Sequence, residues 1–323
     1  MILEVVVTLG EIYDLFVREG ARTDIRNSRT IQQKLSGAKK EYRQSPASLK
    51  KFFDKENFNN PYSDTRILCG DRDVPVKRIL VGIDIEVGEL LLADRLSEQG
   101  EKIDLVMAHH PEGVALAGLD DVMGLQVDIL KQLGIEASIA QDLLNQRAKE
   151  VARRLHGANH TRTVDAANLL GIPLICCHTP ADNHVAQYLQ RLMDRKKPKM
   201  LAQVIDLLLK EPEYQDAATN KAGPQILIGK PKDKAGKIFV DMTGGTEGSK
   251  DIFARLSQLG IKTQLGMHLS EAHFDKIKSE HMNVVIAGHM ASDNLGMNLL
   301  LDKLEKKGNI DIVSCSGFRR FRR

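Results

Sequence analysis

Tryptophan is absent from the 323-residue sequence, and aromatics make up only 4 % of it. Stacking platforms for single-stranded nucleic acid are therefore poorly supplied. The four cysteines, Cys69, Cys176, Cys177 and Cys315, form neither a disulfide framework nor a C-x-x-C zinc knuckle. Cys176 and Cys177 are adjacent and would face opposite sides of a strand. No run approaches the roughly 18 apolar residues that a membrane span needs. The apolar start is interrupted by Glu4 and Glu11 and has no basic segment before it, so it does not read as an export signal. An excess of one charge is missing too, because 46 basic and 43 acidic residues leave a formal charge of +3. That balance does not demand a polyanionic partner. Together these absences point to a soluble protein of the cytoplasm that engages no membrane.

What is present is a regular alternation of apolar strands and amphipathic helices. A hydrophobic share of 42 % over this length suits one large or two modest α/β lobes. Residues 8–20 have helical periodicity, stopped by Gly20. Residues 21–66 are polar and often basic, with Lys39, Lys40, Arg43, Lys50, Lys51 and Lys55, and read as a solvated insertion or mobile arm. From Val76 onward strands are expected at 78–84, 103–108, 173–177, 225–228, 237–242, 283–287 and 310–314. Helices are expected at 88–99, over most of 119–156, and at 159–170, 185–221, 249–258 and 294–306. Such alternation predicts parallel βαβ units. The charge run Lys196–Lys199 with Pro198 places a lobe boundary near 185–200. The expected division is an N-terminal lobe 1–190, carrying the insertion 21–66, and a C-terminal lobe 191–323.

Three apolar strands end in histidine: DLVMA before His109-His110, PLICC before His178, and NVVIAG before His289. Continuous apolar runs suit strands covered on both faces. In open α/β sheets ligands gather beyond the carboxyl ends of strands, so three strands deliver imidazoles to the place where a site forms. Asp182 lies four residues after His178, and Asp293 four after His289. On a helical turn that spacing puts each pair on one face. Imidazole with carboxylate suits zinc, iron, manganese or nickel. A bridging aspartate would allow two such divalent ions about 3.5–4 Å apart, able to activate a water and polarise a phosphoryl or carbonyl oxygen. A single histidine at a strand end is commonly a hydrogen-bonded core residue, but adjacent imidazoles are hard to bury unless something binds them.

The A-His109-His110-P-E segment, the H-T-P-A-D segment His178–Asp182 and the A-G-H-M-A-S-D segment Ala287–Asp293 resemble the NGG-interacting-factor proteins. Many members of that family carry the name GTP cyclohydrolase I type 2 homolog. The resemblance spans roughly residues 76–323 with gaps. It implies a two-lobed α/β protein around a mixed, largely parallel sheet, with a two-metal site between the lobes. It also implies a toroidal homohexamer whose sites face an inner cavity. Carried over by position, the metal ligands fall on His109, His110, Asp182, His289 and Asp293. His178 opens the H-T-x-x-D motif and is expected behind the ligands or facing substrate. The sequence departs from the family in two places. Asp293 stands where the family has Glu, and Glu112-Gly113 follow Pro111 where many members have an apolar pair.

Glu112 is then a candidate general base, or a solvent-facing turn residue. His273 precedes a helix, where the family often has a histidine, and either lines the cavity or sits on the surface. Gly244-Gly245-x-x-Gly248 follows a strand and reads as a tight strand-to-helix turn or a phosphate loop. The Arg-rich end, residues 318–323, reads as a frayed tail. These features suggest a metal-dependent hydrolase of a nucleotide or phosphorylated small molecule, attacked by a water activated on the metals. A non-catalytic metal-binding scaffold is the alternative. A nucleic-acid-binding ring, suggested only by the basic 39–55 segment, is a third option.

Overall fold

The computed structural model describes residues 6–323. Two sheets organise them. In the first, five strands run in the order Asp311–Ser314, Arg78–Gly82, Leu105–Ala108, Leu174–Cys177 and Thr65–Cys69. Its neighbours pair in parallel except at the Thr65–Cys69 edge, which is antiparallel. The second orders Gln225–Ile228, Asn283–Ile286, Ile261–Gly266 and Lys237–Asp241, and again only the first pair is antiparallel. The expected α/β class with mixed, largely parallel sheets is what the chain forms.

The strands that end in histidine lie inside these sheets. Leu105–Ala108, Leu174–Cys177 and Asn283–Ile286 are buried along their whole length. That burial is why each reads as a continuous apolar run rather than an alternating one. On one face of the first sheet, Leu9, Ile12 and Phe16 of the Leu9–Thr23 helix and Leu300, Leu301 and Leu304 of the His289–Glu305 helix join Ile79, Met107, Ile175 and Cys177. The other face packs Leu80, Val106, Leu174 and Cys176 against Leu90, Ala93 and Ala167. Cys176 and Cys177 thus enter opposite cores, as their adjacency in a strand requires.

Two helix crossings are set by missing side chains. A Cβ on Gly20 would lie 2.6 Å from Cβ of Pro180, and one on Gly296 would lie 2.4 Å from the Ala181 carbonyl oxygen. The Thr179–Lys196 helix therefore lies close against both Leu9–Thr23 and His289–Glu305. Gly20 does not stop its helix, which continues to Thr23; it lets a neighbour approach.

Several expectations change. Residues 28–44 form a helix, and the segment 60–69 is structural rather than a solvated insertion. Tyr62 and Asp64 are fully buried, and Thr65–Cys69 completes the first sheet. Polar contacts make that burial tolerable. Arg26 forks onto Asp24 through bonds of 3.0 and 2.7 Å, Tyr62 donates its hydroxyl to Asp24, and Asn60 donates to the Thr65 carbonyl. The strand Ile261–Gly266 was not foreseen, and the helix expected after His273 starts earlier, at Glu271–Ser279, and contains that residue. The division 1–190 and 191–323 does not follow the sheets. Asp311–Ser314 returns to the first sheet, and Leu119, Leu125, Ile129 and Leu144 share a core with Phe239, Phe253 and Val284 of the second. The C-terminal end is not frayed. Phe318 is fully buried, Arg320 pairs with Asp302 and Glu305, and Arg323 with Glu213 and Glu211. Among the described residues no helix is long and apolar enough to cross a membrane.

Candidate metal centre

Backbone pairing carries the first sheet one step past its strand ends. The His109 and His110 N–H groups donate to the Gly82 and Ile83 carbonyls. The two rings therefore leave a fixed backbone rather than a loose loop. His178 follows Cys177 directly, donates its N–H to the Thr65 hydroxyl, and begins the Thr179–Lys196 helix, which carries Asp182 one turn on. Gly288 turns the chain from Asn283–Ile286 into the His289–Glu305 helix at φ +106°, where an added Cβ would meet the Ala222 carbonyl at 2.9 Å. His289 and Asp293 then share one helical face.

These side chains converge. Nε2 of His109 lies 3.4 Å from Oδ1 of Asp293 and 3.5 Å from Oδ1 of Asp182. Oδ2 of Asp293 lies 3.5 Å from Nε2 of both His110 and His289. His178 Nε2 is 3.7 Å from Oδ2 of Asp182. Such separations are too long for good hydrogen bonds. They match two atoms bound to one tetrahedral ion, since bonds of roughly 2.0–2.1 Å put ligands about 3.3–3.4 Å apart. Donor atoms of His109, Asp182 and Asp293 fall within 4.8 Å of one another, as do those of His110, His289 and Asp293, and of His109, His110 and His178. His109 Nε2 and both oxygens of Asp293 are buried without a hydrogen-bond partner. Buried polar atoms seldom go unpaired unless something else engages them.

Acceptors behind the cluster turn three of its imidazoles the same way. His109 Nδ1 faces the Cys177 carbonyl at 3.1 Å, His110 Nδ1 faces Asp84 at 2.6 Å, and His178 Nδ1 faces Asp64 at 2.9 Å. A proton on Nδ1 satisfies each acceptor and leaves the Nε2 lone pair aimed into the cluster, the usual arrangement behind a metal-ligating histidine. Asp64 also accepts from Thr179 Oγ1 at 2.6 Å.

Electrostatics separate the two central carboxylates. Burial opposes ionisation of Asp293, but His109, His110 and His289 surround it and hold its pKa far below the usual carboxylate range. Burial raises Asp182 to about 8, and Asp293 and Asp64 add to that rise against the pull of His178. Burial also lowers His109 to about 4, so its imidazole is neutral at neutral pH. His178 goes the other way: burial opposes its charge, yet the Asp182 and Asp64 carboxylates raise it to about 9. The cluster holds more acid than it can ionise at once, a condition that divalent cations would relieve.

All five residues assigned as ligands from sequence, together with His178, lie in this convergent set. His178 sits nearer its centre than a position behind the ligands. His273 is set apart: it lines the adjoining pocket, and its ring is held by Ser270 at 2.7 Å and the Gly248 carbonyl at 3.0 Å. Glu112 is half-buried at the start of the short Gly113–Ala117 helix, outside both the cluster and the pocket lining. The 244–248 loop lines the pocket and is tied down by Gln126, whose Nε2 donates to the Gly244 and Thr246 carbonyls. Sequence reasoning missed Asp64, Asp84, Asp241, Glu247 and His268. His268 meets the His289 ring edge to face, with centroids 4.9 Å apart, and pairs with Glu247 at 3.3 Å, which raises its pKa. A histidine two residues past a strand that Lys262 and Gln264 interrupt was the available signal.

No protein-family model matches the chain, and no curated protein does. Solved structures do. A NIF3 superfamily protein from Sphaerobacter thermophilus superposes with a TM-score of 0.70 at 24 % identity, covering 90 % of this chain and 98 % of that one. Reduced HcgD from Methanocaldococcus jannaschii gives 0.48 at 14 % identity, over 77 % and 87 % of the two chains. A Bacillus cereus protein related to NIF3 gives 0.43 at 12 %, over 90 % and 97 %. The class is thus an α/β protein with a buried His/Asp cluster at the carboxyl ends of its strands. More narrowly, its fold is that of the NIF3 superfamily protein from Sphaerobacter thermophilus.

Proposed function

We propose that the chain is a NIF3-like hydrolase with a dinuclear metal centre, acting on a nucleotide or phosphorylated small molecule. The observation that carries this reading is Asp293. Its two oxygens are buried and unpaired, and each faces a different imidazole set. His109, Asp182 and Oδ1 of Asp293 would hold one ion, and His110, His289 and Oδ2 the other, with His178 completing the first. Asp293 thereby serves as the bridge, although it is a methylene shorter than the family's Glu. Two divalent ions so held would lower the pKa of a water between them and polarise a phosphoryl or carbonyl oxygen. Asp64, Asp84 and the Cys177 carbonyl keep the imidazoles in the ligating tautomer. Among the described residues no Lys or Arg lines the adjoining pocket, so the positive charge that receives an anion would come from the ions. The pocket cavity is about 80 Å³. That is the share of two or three waters, at about 30 Å³ each, or of one reacting group in their place, with the rest of a larger substrate outside.

A cytoplasmic location and a homohexameric ring accompany this reading as proposals. Sedimentation of the purified chain tests the ring. The test of function is a screen of phosphomonoesters, phosphodiesters and nucleotides, with formate release from GTP assayed separately, on metal-loaded protein. Turnover that disappears in Asp293→Asn supports the hydrolase. Full metal loading with no turnover of any substrate class supports the scaffold reading instead.

A further inference from the structure

The strand Lys237–Asp241 is the edge of the second sheet. On its open side the Gln190 amide imitates a neighbouring strand: Val240 N–H donates to Gln190 Oε1 at 2.9 Å, and Gln190 Nε2 donates to the Ile238 carbonyl at 3.2 Å. The imitation stops there. The N–H and C=O of one strand residue point the same way, and that direction recurs every second residue. The Val240 carbonyl and the Met242 N–H therefore face the same open side, and among the described residues neither has a hydrogen-bond partner outside the sheet.

These groups border a cavity of about 220 Å³ between the edge strand, the Thr179–Lys196 helix and the 23–25 turn. Ile25, Ile129, Ala186, Phe239 and Met242 give it mostly apolar walls, and Arg191 stands exposed at its rim with no ion pair among the described residues. Of its two carboxylates, Asp24 is engaged by Arg26 and Tyr62. Asp241 accepts from the Gln264 amide, so neither is left without a hydrogen-bond donor. The volume is below the roughly 300–1,000 Å³ of drug-sized ligand sites, which excludes a folded segment and suits one ring system.

We propose that this cavity is a second ligand site, separate from the His/Asp cluster. It would take a planar lactam heterocycle with an anionic substituent, of the kind a uridine nucleotide presents. The ring N–H would donate to the Val240 carbonyl, the ring carbonyl would accept from Met242 N–H, and Arg191 would take the anion. An adjacent donor and acceptor on a flat ring complement a free strand edge, and a guanidinium suits a phosphate. Asp241, Met242 and Thr243 also line the pocket beside the cluster, so an occupant here would press on that pocket's wall.

The test is calorimetric titration of the full chain with uridine 5′-monophosphate, uridine and 3-methyluridine, before and after treatment with a chelator. The expected order is the monophosphate first, uridine roughly tenfold weaker for want of the Arg191 contact, and no binding of 3-methyluridine, whose donor is blocked. Ala186→Phe should abolish binding by filling the cavity, and Arg191→Gln should reduce the monophosphate to the affinity of uridine. Chelation should change none of this. The proposal is overturned if nothing binds at millimolar concentration, if 3-methyluridine binds as well as uridine, or if binding needs metal. It is also overturned if Ala186→Phe leaves affinity intact, as it would if another copy of the chain covered the groove. Should Ala186→Phe fail to fold by circular dichroism, Arg191→Gln and 3-methyluridine decide the matter.

Discussion

Asp64 tests the layer behind the cluster. It is fully buried, touches no candidate ion, and accepts from His178 Nδ1 at 2.9 Å and Thr179 Oγ1 at 2.6 Å. Asp64→Asn keeps the shape and removes the charge. A hydrogen bond to an ionised group contributes about 1.5–3 kcal/mol, and a neutral one about 0.5–1.5. The exchange should thus cost about 1–2 kcal/mol, and it falls on the orientation and basicity of His178. Divalent-ion affinity should drop roughly 5- to 30-fold, overlapping the range of about 10–100-fold typical of carboxylates behind histidine ligands. Competition against a chromophoric zinc chelator measures this directly, with circular dichroism confirming the fold. If the variant folds and its zinc affinity stays within about twofold of the parent, Asp64 does not orient a ligand and His178 is not part of the site.

The metal-free protein should lose thermal stability as pH rises from about 6.5 to 9. His178 is raised from 6.5 to about 9, so its contribution is complete below 6.5 and is lost through 9; Asp182, raised from 3.8 to about 8, is already being lost above 3.8 and finishes near 8, in the lower part of this window. Zinc-loaded protein should show the opposite slope, because ligation displaces those protons; parallel melting curves would contradict the assignment. Gly296→Ala should destabilise by about 1–3 kcal/mol in urea titration, since its Cβ would lie 2.4 Å from the Ala181 carbonyl. The same change should weaken zinc binding, because the two helices it separates carry Asp182 and Asp293. Glu112→Gln should leave zinc affinity unchanged in the chelator assay; a clear loss would place Glu112 at the cluster after all.

Much of the cluster was legible because its signals are local. A buried parallel strand writes itself as an apolar run, and DLVMA, PLICC and NVVIA end where the sheets end. The spacing of four between His178 and Asp182, and between His289 and Asp293, needs only a helical turn. Asp64 and Asp84 were hidden for opposite reasons. Asp64 follows a polar, basic stretch whose average character masks one fully buried carboxylate, and Asp84 looks like the end of a strand that in fact stops at Gly82. Ile261–Gly266 alternates with Lys262 and Gln264, so its apolar signal is broken and His268 beyond it was not counted. The Arg-rich end looks like a tail in sequence because its acidic partners, Glu211, Glu213, Asp302 and Glu305, come from two distant helical regions. Long-range pairing of that kind leaves no periodic trace.

The central claim is that these side chains hold two ions. The most direct measurement is elemental analysis of protein dialysed after exposure to zinc, for the parent chain and for His109→Ala/His110→Ala. Two ions per parent chain and their loss in the double variant are the predicted results. Two ions retained by the folded double variant, or none held by the parent, would contradict the account.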